Sequence, residues 1–394
     1  MEAAGPPASD AARRLRIVHC FRSPVGGIFR HVRDLVRAQV DAGASVGILC
    51  DASTGGAHEE MLFREIEPLL DLGLHRVPMQ RQISPSDATA LYRLFRQMKA
   101  LRPDVIHTHG AKGGVYGRIV GTMLRLSGHR VARLYCPHGG SLHYDPRSRS
   151  GRLFFAVERW MERITDAFVF VSQYEADAYR AKVGAPRKPF RIASNGIGPE
   201  EFERIETRPD AADFLYIGMM RDLKGPDVFL NALARLRDGQ DVAPTALLVG
   251  DGPDTARYRA LADRLGLAEA VRFLPATPAR EAFAMARFVV VPSRAESMPY
   301  IVLEAAAAGR PLVATAVGGI PEILGTQRSR LVPSGDAAAL AGAMERALAD
   351  PAATEAEALE LRDDMKPRFS IDAMAASVAA AYRLAATNTP AKRR

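Results

Sequence analysis

Apolar positions along the chain fall into short runs, separated by longer stretches in which they recur at three- and four-residue intervals. RIVHCF (16–21), ASVGILC (44–50), DVIHTH (104–109), RVARLYC (130–136) and DAFVFVS (166–172) have the first pattern and predict strands. The second pattern predicts helices from about Ile28 to Asp41, through ALYRLFRQMKAL (90–101), and after GAKGG (110–114). Strand, crossover helix and strand in this rhythm predict a parallel sheet covered by helices on both faces.

The rhythm lapses over RIASNGIGPEEFERIETRPDAAD (191–213), where turn residues and charges predict a linker, and then restarts. DFLYIG (213–218), PTALLVGDGPD (244–254), AVRFLP (270–275), RFVVVPS (287–293) and RPLVATAVGG (310–319) are the second set of strand patterns, with helix patterns between them. The fold class is therefore α/β, with two doubly wound Rossmann-like domains in tandem and a cleft between them. Residues 1–14 read as a disordered tail, 15–195 as the first domain and 196–368 as the second. FSIDAMAASVAAAYRLAATN (369–388) reads as a closing helix that packs back on the first domain, and PAKRR as a loose end. RLFFAVERWMERI (152–164) places Leu153, Val157, Trp160, Met161 and Ile164 on one helical face, which reads as a core helix, with membrane contact as the second reading.

Composition narrows the class. A chain of 394 residues exceeds one ordinary core, and 47% hydrophobic with 25% charged residues is a globular balance. No window approaches the roughly 18 uninterrupted apolar residues of a membrane span. The start, MEAAGPPASDAARR, lacks the apolar core of a secretory signal, so the expectation is a cytoplasmic protein. Cys20, Cys50 and Cys136 are far apart without metal-ligand spacing and read as reduced, buried thiols.

The net charge of +8 is uneven: between Ala11 and Val40 lie seven arginines and one acid, Asp34. Arg30, Arg33 and Arg37 fall at helical spacing opposite Ile28, Val32, Leu35 and Val36. That pattern suits either a solvated helix face or peripheral contact with anionic membrane, at the inner face of the cell membrane. There is no aromatic-interleaved basic run or zinc-finger spacing, so nucleic acid is not an expected partner.

Candidate chemistry lies at the strand exits. ESMPYIVLE (296–304) puts Glu296 in a loop and Glu304 in a helix, both near the end of one buried strand, with Pro299 suited to the first helical position. Taken alone, such a pair is also what a helix dipole and a solvated face produce. In YIGMMRDLKG (216–225) a strand ends at Gly218, and Arg221 and Lys224 follow before Gly225, an arrangement suited to a diphosphate. VGDGPD (249–254), with Gly250, and VGGIP (317–321) are further glycine-rich exits. None is followed by Lys-Ser or Lys-Thr and none is GxGxxG in the first turn, which disfavours a Walker nucleotidase and a nicotinamide dehydrogenase.

These motifs together resemble family 4 of the retaining glycosyltransferases, of GT-B fold. GMMRDLKG, VGDGP, PSRAESMPYIVLEAAAAGRPLVAT and VGGIPEIL carry the resemblance in the second half; Gly26-Gly27, HTHGAKGG, PHGG and SNGI support it in the first. The similarity spans residues 15–385 and implies an acceptor-binding first domain and a nucleotide-sugar-binding second one. It implies that Glu304 binds the ribose hydroxyls, Glu296 the donor sugar, and Arg221 and Lys224 the diphosphate. Gly27 lets backbone approach from the first domain, His138 sits near the donor sugar, and Gly218, Gly250, Met298 and Tyr300 belong to the donor site. The activity implied is transfer of a sugar, from UDP more often than GDP, to a lipid-linked or saccharide acceptor in bacterial surface polysaccharide synthesis. With no Asp-x-Asp motif, the expectation is no cofactor and no metal at the diphosphate.

Two positions depart from the family pattern. Met219 stands where many members have arginine, leaving Arg221 as the cation, and Pro299 stands where many have glycine. His107 and His109 alternate along a strand end, but the sequence presents no third metal ligand, so a structural or acceptor-side role is expected, with His109 and Lys112 as the acceptor-side candidates. Two other functions are compatible with such a chain: a nucleotide-sugar 2-epimerase, and a non-catalytic nucleotide-sugar-binding subunit of a transferase complex.

Overall fold

The computed structural model describes residues 14–80, 86–238 and 243–387; the expected N-terminal tail, apart from Arg14, and the PAKRR end lie outside the described residues. The first sheet contains β1 (Arg16–Phe21), β2 (Ser45–Asp51), β3 (Leu74–Val77), β4 (Val105–His109), β5 (Ala132–Cys136), β6 (Ala167–Phe170) and β7 (Phe190–Ile192). All pairs are parallel, in the order β3-β2-β1-β4-β5-β6-β7. The second sheet contains β8 (Ala212–Ile217), β9 (Ala246–Val249), β10 (Val271–Leu274), β11 (Ala286–Val291) and β12 (Leu312–Ala314). It is also parallel, in the order β10-β9-β8-β11-β12. Chain order reverses direction between β1 and β4 and between β8 and β11, and parallel sheets open a ligand crevice at such reversals.

The central strands were read from their apolar runs because helices bury both of their faces. Two edge strands, β3 and β7, were not. LHRV and FRI are short, mixed in polarity and only partly buried, so neither carries the apolar run of an inner strand. The expected linker at 191 therefore starts inside β7. The helix after β1 spans Gly26–Asp41 and buries Phe29, Val32, Leu35 and Val36, two residues longer at its start than its apolar stripe suggested.

The last helix, Ile371–Thr387, packs on β5, β6, β7 and the helix Gly26–Asp41, all in the first domain. The chain thus crosses between domains twice, and the crossings touch: the Ile197 N–H donates to the Phe369 carbonyl at 2.7 Å and the Ile371 N–H to the Ile197 carbonyl at 3.3 Å.

The helix Arg149–Met161 departs from its expected role. It buries Gly151, Phe155, Glu158 and Met161, while Leu153, Val157 and Trp160 are 61%, 39% and 56% exposed. Burial follows the Phe155–Glu158 side because Glu158 is held there by an inner arginine, so the more apolar side faces solvent. Among the described residues, no helix is long and apolar enough to cross a membrane.

Candidate active site

A cleft of about 830 Å³ lies between the domains, at the carboxyl ends of the strands in both sheets. Gly27 and His138 line it from the first domain; Gly218, Met219, Arg221, Lys224, Glu296, Met298, Tyr300 and Glu304 line it from the second. A cavity of about 880 Å³ opens beside Arg102, His129 and Arg383, before the amino ends of β4 and β5. The site is placed in the first cleft because the strand exits, the glycines and the chemistry converge there.

Lys224 sits on a short turn directly after β8, and its Nζ donates to Glu296 Oε1 at 2.6 Å. Ser293, at the end of β11, donates to the same oxygen at 2.7 Å. Glu296 is 7% exposed, so its charge is sustained by these two donors. Arg294 braces the two turns: its N–H donates to the Leu223 carbonyl at 2.9 Å, and its guanidinium holds both oxygens of Asp227 at 2.8 and 2.6 Å. Cation and carboxylate are thereby held by a shared frame. Arg221 is exposed on the cleft wall, and the Met219 side chain is 48% exposed beside it.

Pro299 is the N-cap of the helix Tyr300–Ala307 with extended φ −75° and ψ 123°, one position earlier than the expected first helical residue. A residue that turns the chain into the helix keeps extended angles, and Pro299 meets that with its fixed φ. Glu304 lies in this helix and pairs with Arg30 of the first domain. Arg30 also grips Glu201 at 2.7 and 2.6 Å and stacks over the Tyr300 ring at 4.4 Å. The row Arg30, Arg33 and Arg37 is therefore not a lipid-facing surface: Arg30 bridges domains, Arg33 lies over Phe29, and Arg37 pairs with Asp34 and Glu65. Gly27 comes close to the other domain, since a Cβ there would sit 3.5 Å from the Tyr300 ring.

His138 holds a left-handed backbone, φ 50°, in the loop after β5. The next residue explains how: the Gly139 and Val171 N–H groups both donate to Glu175, a fully enclosed carboxylate. Burial pushes the Glu175 carboxyl up to about 7, against the two backbone donors. Burial also holds His138 well below the usual imidazole range, with His31 nearby adding to the effect, so it is neutral at pH 7. Asn195 joins the halves, accepting from His31 Nδ1 at 3.0 Å and donating to the Met298 carbonyl at 2.7 Å.

Three expected site residues lie elsewhere. Gly250 is absent from the cleft wall; a Cβ at it would approach the Gly218 carbonyl to 2.2 Å, so it makes room for the strand exit rather than touching a ligand. His109 is buried between His19 and His138, at 2.9 and 3.0 Å. Lys112 pairs with Asp87 at 2.8 Å. Neither lines the cleft, so the acceptor-side reading of both is not supported. The sequence gives no role to Glu175, Asn195 or Arg294, and places Arg30 only in a charged helix face. Asn195 belongs to SNGI and Arg294 to PSRAES, whereas Glu175 has no signal beyond being an acid in a helix pattern.

Residues 25–201 match the model of Glycosyltransferase Family 4, and residues 211–350 match that of Glycosyl transferases group 1. The fold and cleft define the class: this is a two-domain GT-B glycosyltransferase, an enzyme that transfers sugar from a nucleotide sugar. Its two halves are similar, in order, to the two families just named. Among curated relatives, the D-inositol 3-phosphate glycosyltransferase of Thermobifida fusca is 31% identical over 238 residues, 55% of each chain. The match therefore spans about half the length of that relative. The glycogen synthase of Mycobacterium tuberculosis is 26% identical over 388 residues, 91% of each chain. Among solved structures, Anabaena HepE in complex with UDP has a TM-score of 0.74 at 18% identity, covering 93% of this chain and 99% of that one. Sucrose-phosphate synthase from Thermosynechococcus elongatus has a TM-score of 0.76 at 23% identity, covering 94% and 98%. At these identities the structural likeness is one of fold.

Proposed function

We propose that this enzyme transfers a sugar with retention of configuration from a nucleoside-diphosphate sugar, UDP rather than GDP, to a lipid-linked or saccharide acceptor in surface polysaccharide synthesis. The observation that carries the reading is the set Arg221, Lys224 and Glu296 on one wall of the cleft, opposite Gly27 and His138. Breaking the anomeric C–O bond leaves its electron pair on the diphosphate, and Lys224 with Arg221 stabilises that charge without a metal there. Glu296, occupied by Lys224 and Ser293, orients sugar hydroxyls and does not serve as nucleophile. The acceptor oxygen then bonds to the anomeric carbon on the face the diphosphate leaves, and its proton passes to the leaving phosphate oxygen. A UDP complex of a protein with the same fold supports the choice of base.

A thermal-shift screen against UDP, GDP, ADP and their sugars tests the donor. Stabilisation of about 2.7 kcal/mol is expected at a hundredfold excess over Kd for uridine ligands. Glu304→Ala abolishes it by removing the ribose contact. Equal shifts with all three bases, or none, refute the assignment.

The acceptor's lipid is supported by the exposed stripe Leu153, Val157 and Trp160, flanked by exposed Arg149, Arg152 and Arg163. Apolar side chains between arginines suit the interface of an anionic bilayer. The stripe follows the segment of His143 and Tyr144, both on the cleft wall, so a lipid-borne head group would enter from this side. Leu153→Asp with Trp160→Asp is expected to weaken sedimentation with anionic vesicles at least tenfold while leaving the nucleotide shift intact. Undiminished vesicle binding contradicts the stripe's role.

A further inference from the structure

Five histidines from separate parts of the first domain meet beneath the cleft. The parallel register sets His19 of β1 beside His107 of β4, and His109 lies one pleat further along the same face. One ring nitrogen from each of His19, His107 and His109 lies within 4.8 Å of the others, and all three rings are buried. His19 is thus a third imidazole beside the two that alternate along the strand end.

The outer nitrogens of the three rings each have a partner. Gln39 donates through Nε2 to the Tyr382 hydroxyl at 2.9 Å, so its Oε1 faces His19 Nε2, at 2.9 Å, and that nitrogen must carry the hydrogen. His107 Nδ1 lies 3.0 Å from the Tyr382 hydroxyl, and His109 Nδ1 lies 3.0 Å from His138 Nε2. Three nitrogens remain: His19 Nδ1 and His109 Nε2, which face one another at 2.9 Å, and His107 Nε2, buried with no partner among the described residues. A buried polar nitrogen left unpaired costs about 1–3 kcal/mol.

We infer that His19, His107 and His109 form a binding site for one divalent transition-metal ion, Zn²⁺ or Co²⁺, separate from the diphosphate site. All-imidazole donor sets favour these ions over Mg²⁺ or Ca²⁺, and three protein ligands leave a fourth position for water. The ion takes the place of the hydrogen between His19 and His109. That hydrogen moves to His109 Nδ1 and donates to His138 Nε2, whose own hydrogen shifts to Nδ1, so every ring stays neutral. Gln39, His138 and Tyr382 then act as the outer partners that fix ligand tautomers. A second trio, His31, His109 and His138, shares His109. His31 has an outer partner in Asn195, but among the described residues no bond to the second nitrogen of His138 accompanies it, so the trio on β1 and β4 is the better furnished. The ion would join two central strands to the last helix through Tyr382.

The test uses the full chain, without a histidine tag, stripped with chelator and titrated with Co²⁺. One equivalent per chain is expected, with visible d–d bands that Zn²⁺ abolishes. His107→Gln removes the bands; His129→Ala, at a half-buried histidine outside the cluster, keeps them. Should His107→Gln not fold, Tyr382→Phe is read instead, with affinity expected to fall about 10- to 100-fold through loss of an outer partner. Substoichiometric binding, or binding unchanged in both His107→Gln and Tyr382→Phe, overturns the inference. The UDP thermal shift, read on the same samples, is independent: its loss counts against the transferase reading, and absent metal with an intact shift counts against this site alone.

Discussion

Lys224→Ala is expected to lower kcat by about 10²- to 10³-fold with KM for the donor changed only a few-fold. The cation's value lies in the charge that develops on the departing diphosphate, which is larger in the transition state than in the bound donor. Lys224→Arg retains part of the rate, because the charge remains while the fork replaces a compact ammonium. The substitution also strips a partner from Glu296, so melting temperature is measured alongside to separate a lost charge from a disturbed loop. A kcat within threefold of wild type, with the fold intact, removes Lys224 from the mechanism.

The second large effect lies away from the cleft. Glu158→Ala is expected to destabilise the protein by about 3–5 kcal/mol, measured by denaturant unfolding. Glu158 is buried and accepts from Tyr135 at 2.7 Å, Ser141 at 2.9 Å and Arg118 at 3.1 Å. Arg118 is fully enclosed and lies 3.8 Å over the Tyr135 ring. Removing the carboxylate leaves a guanidinium with no anion in a dry interior. Ser141 belongs to the loop that carries His138, so kcat is expected to fall as well. A loss below 1 kcal/mol would mean that water or another acid reaches Arg118.

How far the sequence speaks depends on whether a residue's role follows from its neighbours in the chain. The inner strands were legible because burial on two faces requires an apolar run, and the glycine exits because their spacing is local. Lys224 and Glu296 could be proposed as partners only through motif resemblance, since 72 positions separate them. The pairings of Arg30 with Glu304 and of His19 with His107 depend on domain docking and strand register, which leave no trace in local composition. Leu153 and Trp160 misled for the opposite reason: an apolar stripe signals burial only when something covers it. Here Phe155 and the ionic group around Glu158 claim the inner face, and the stripe is left outside.

The paired crossings near Ile197 and Phe369 bear on how such an enzyme could be recombined. Because the final helix returns to the first domain, the second domain is an insertion between two parts of the first rather than an appended module. A chimera that exchanges donor preference between relatives therefore needs two junctions, one on each crossing strand. A single junction after 196 would graft a foreign last helix onto β5 to β7 and disturb the packing of the first domain.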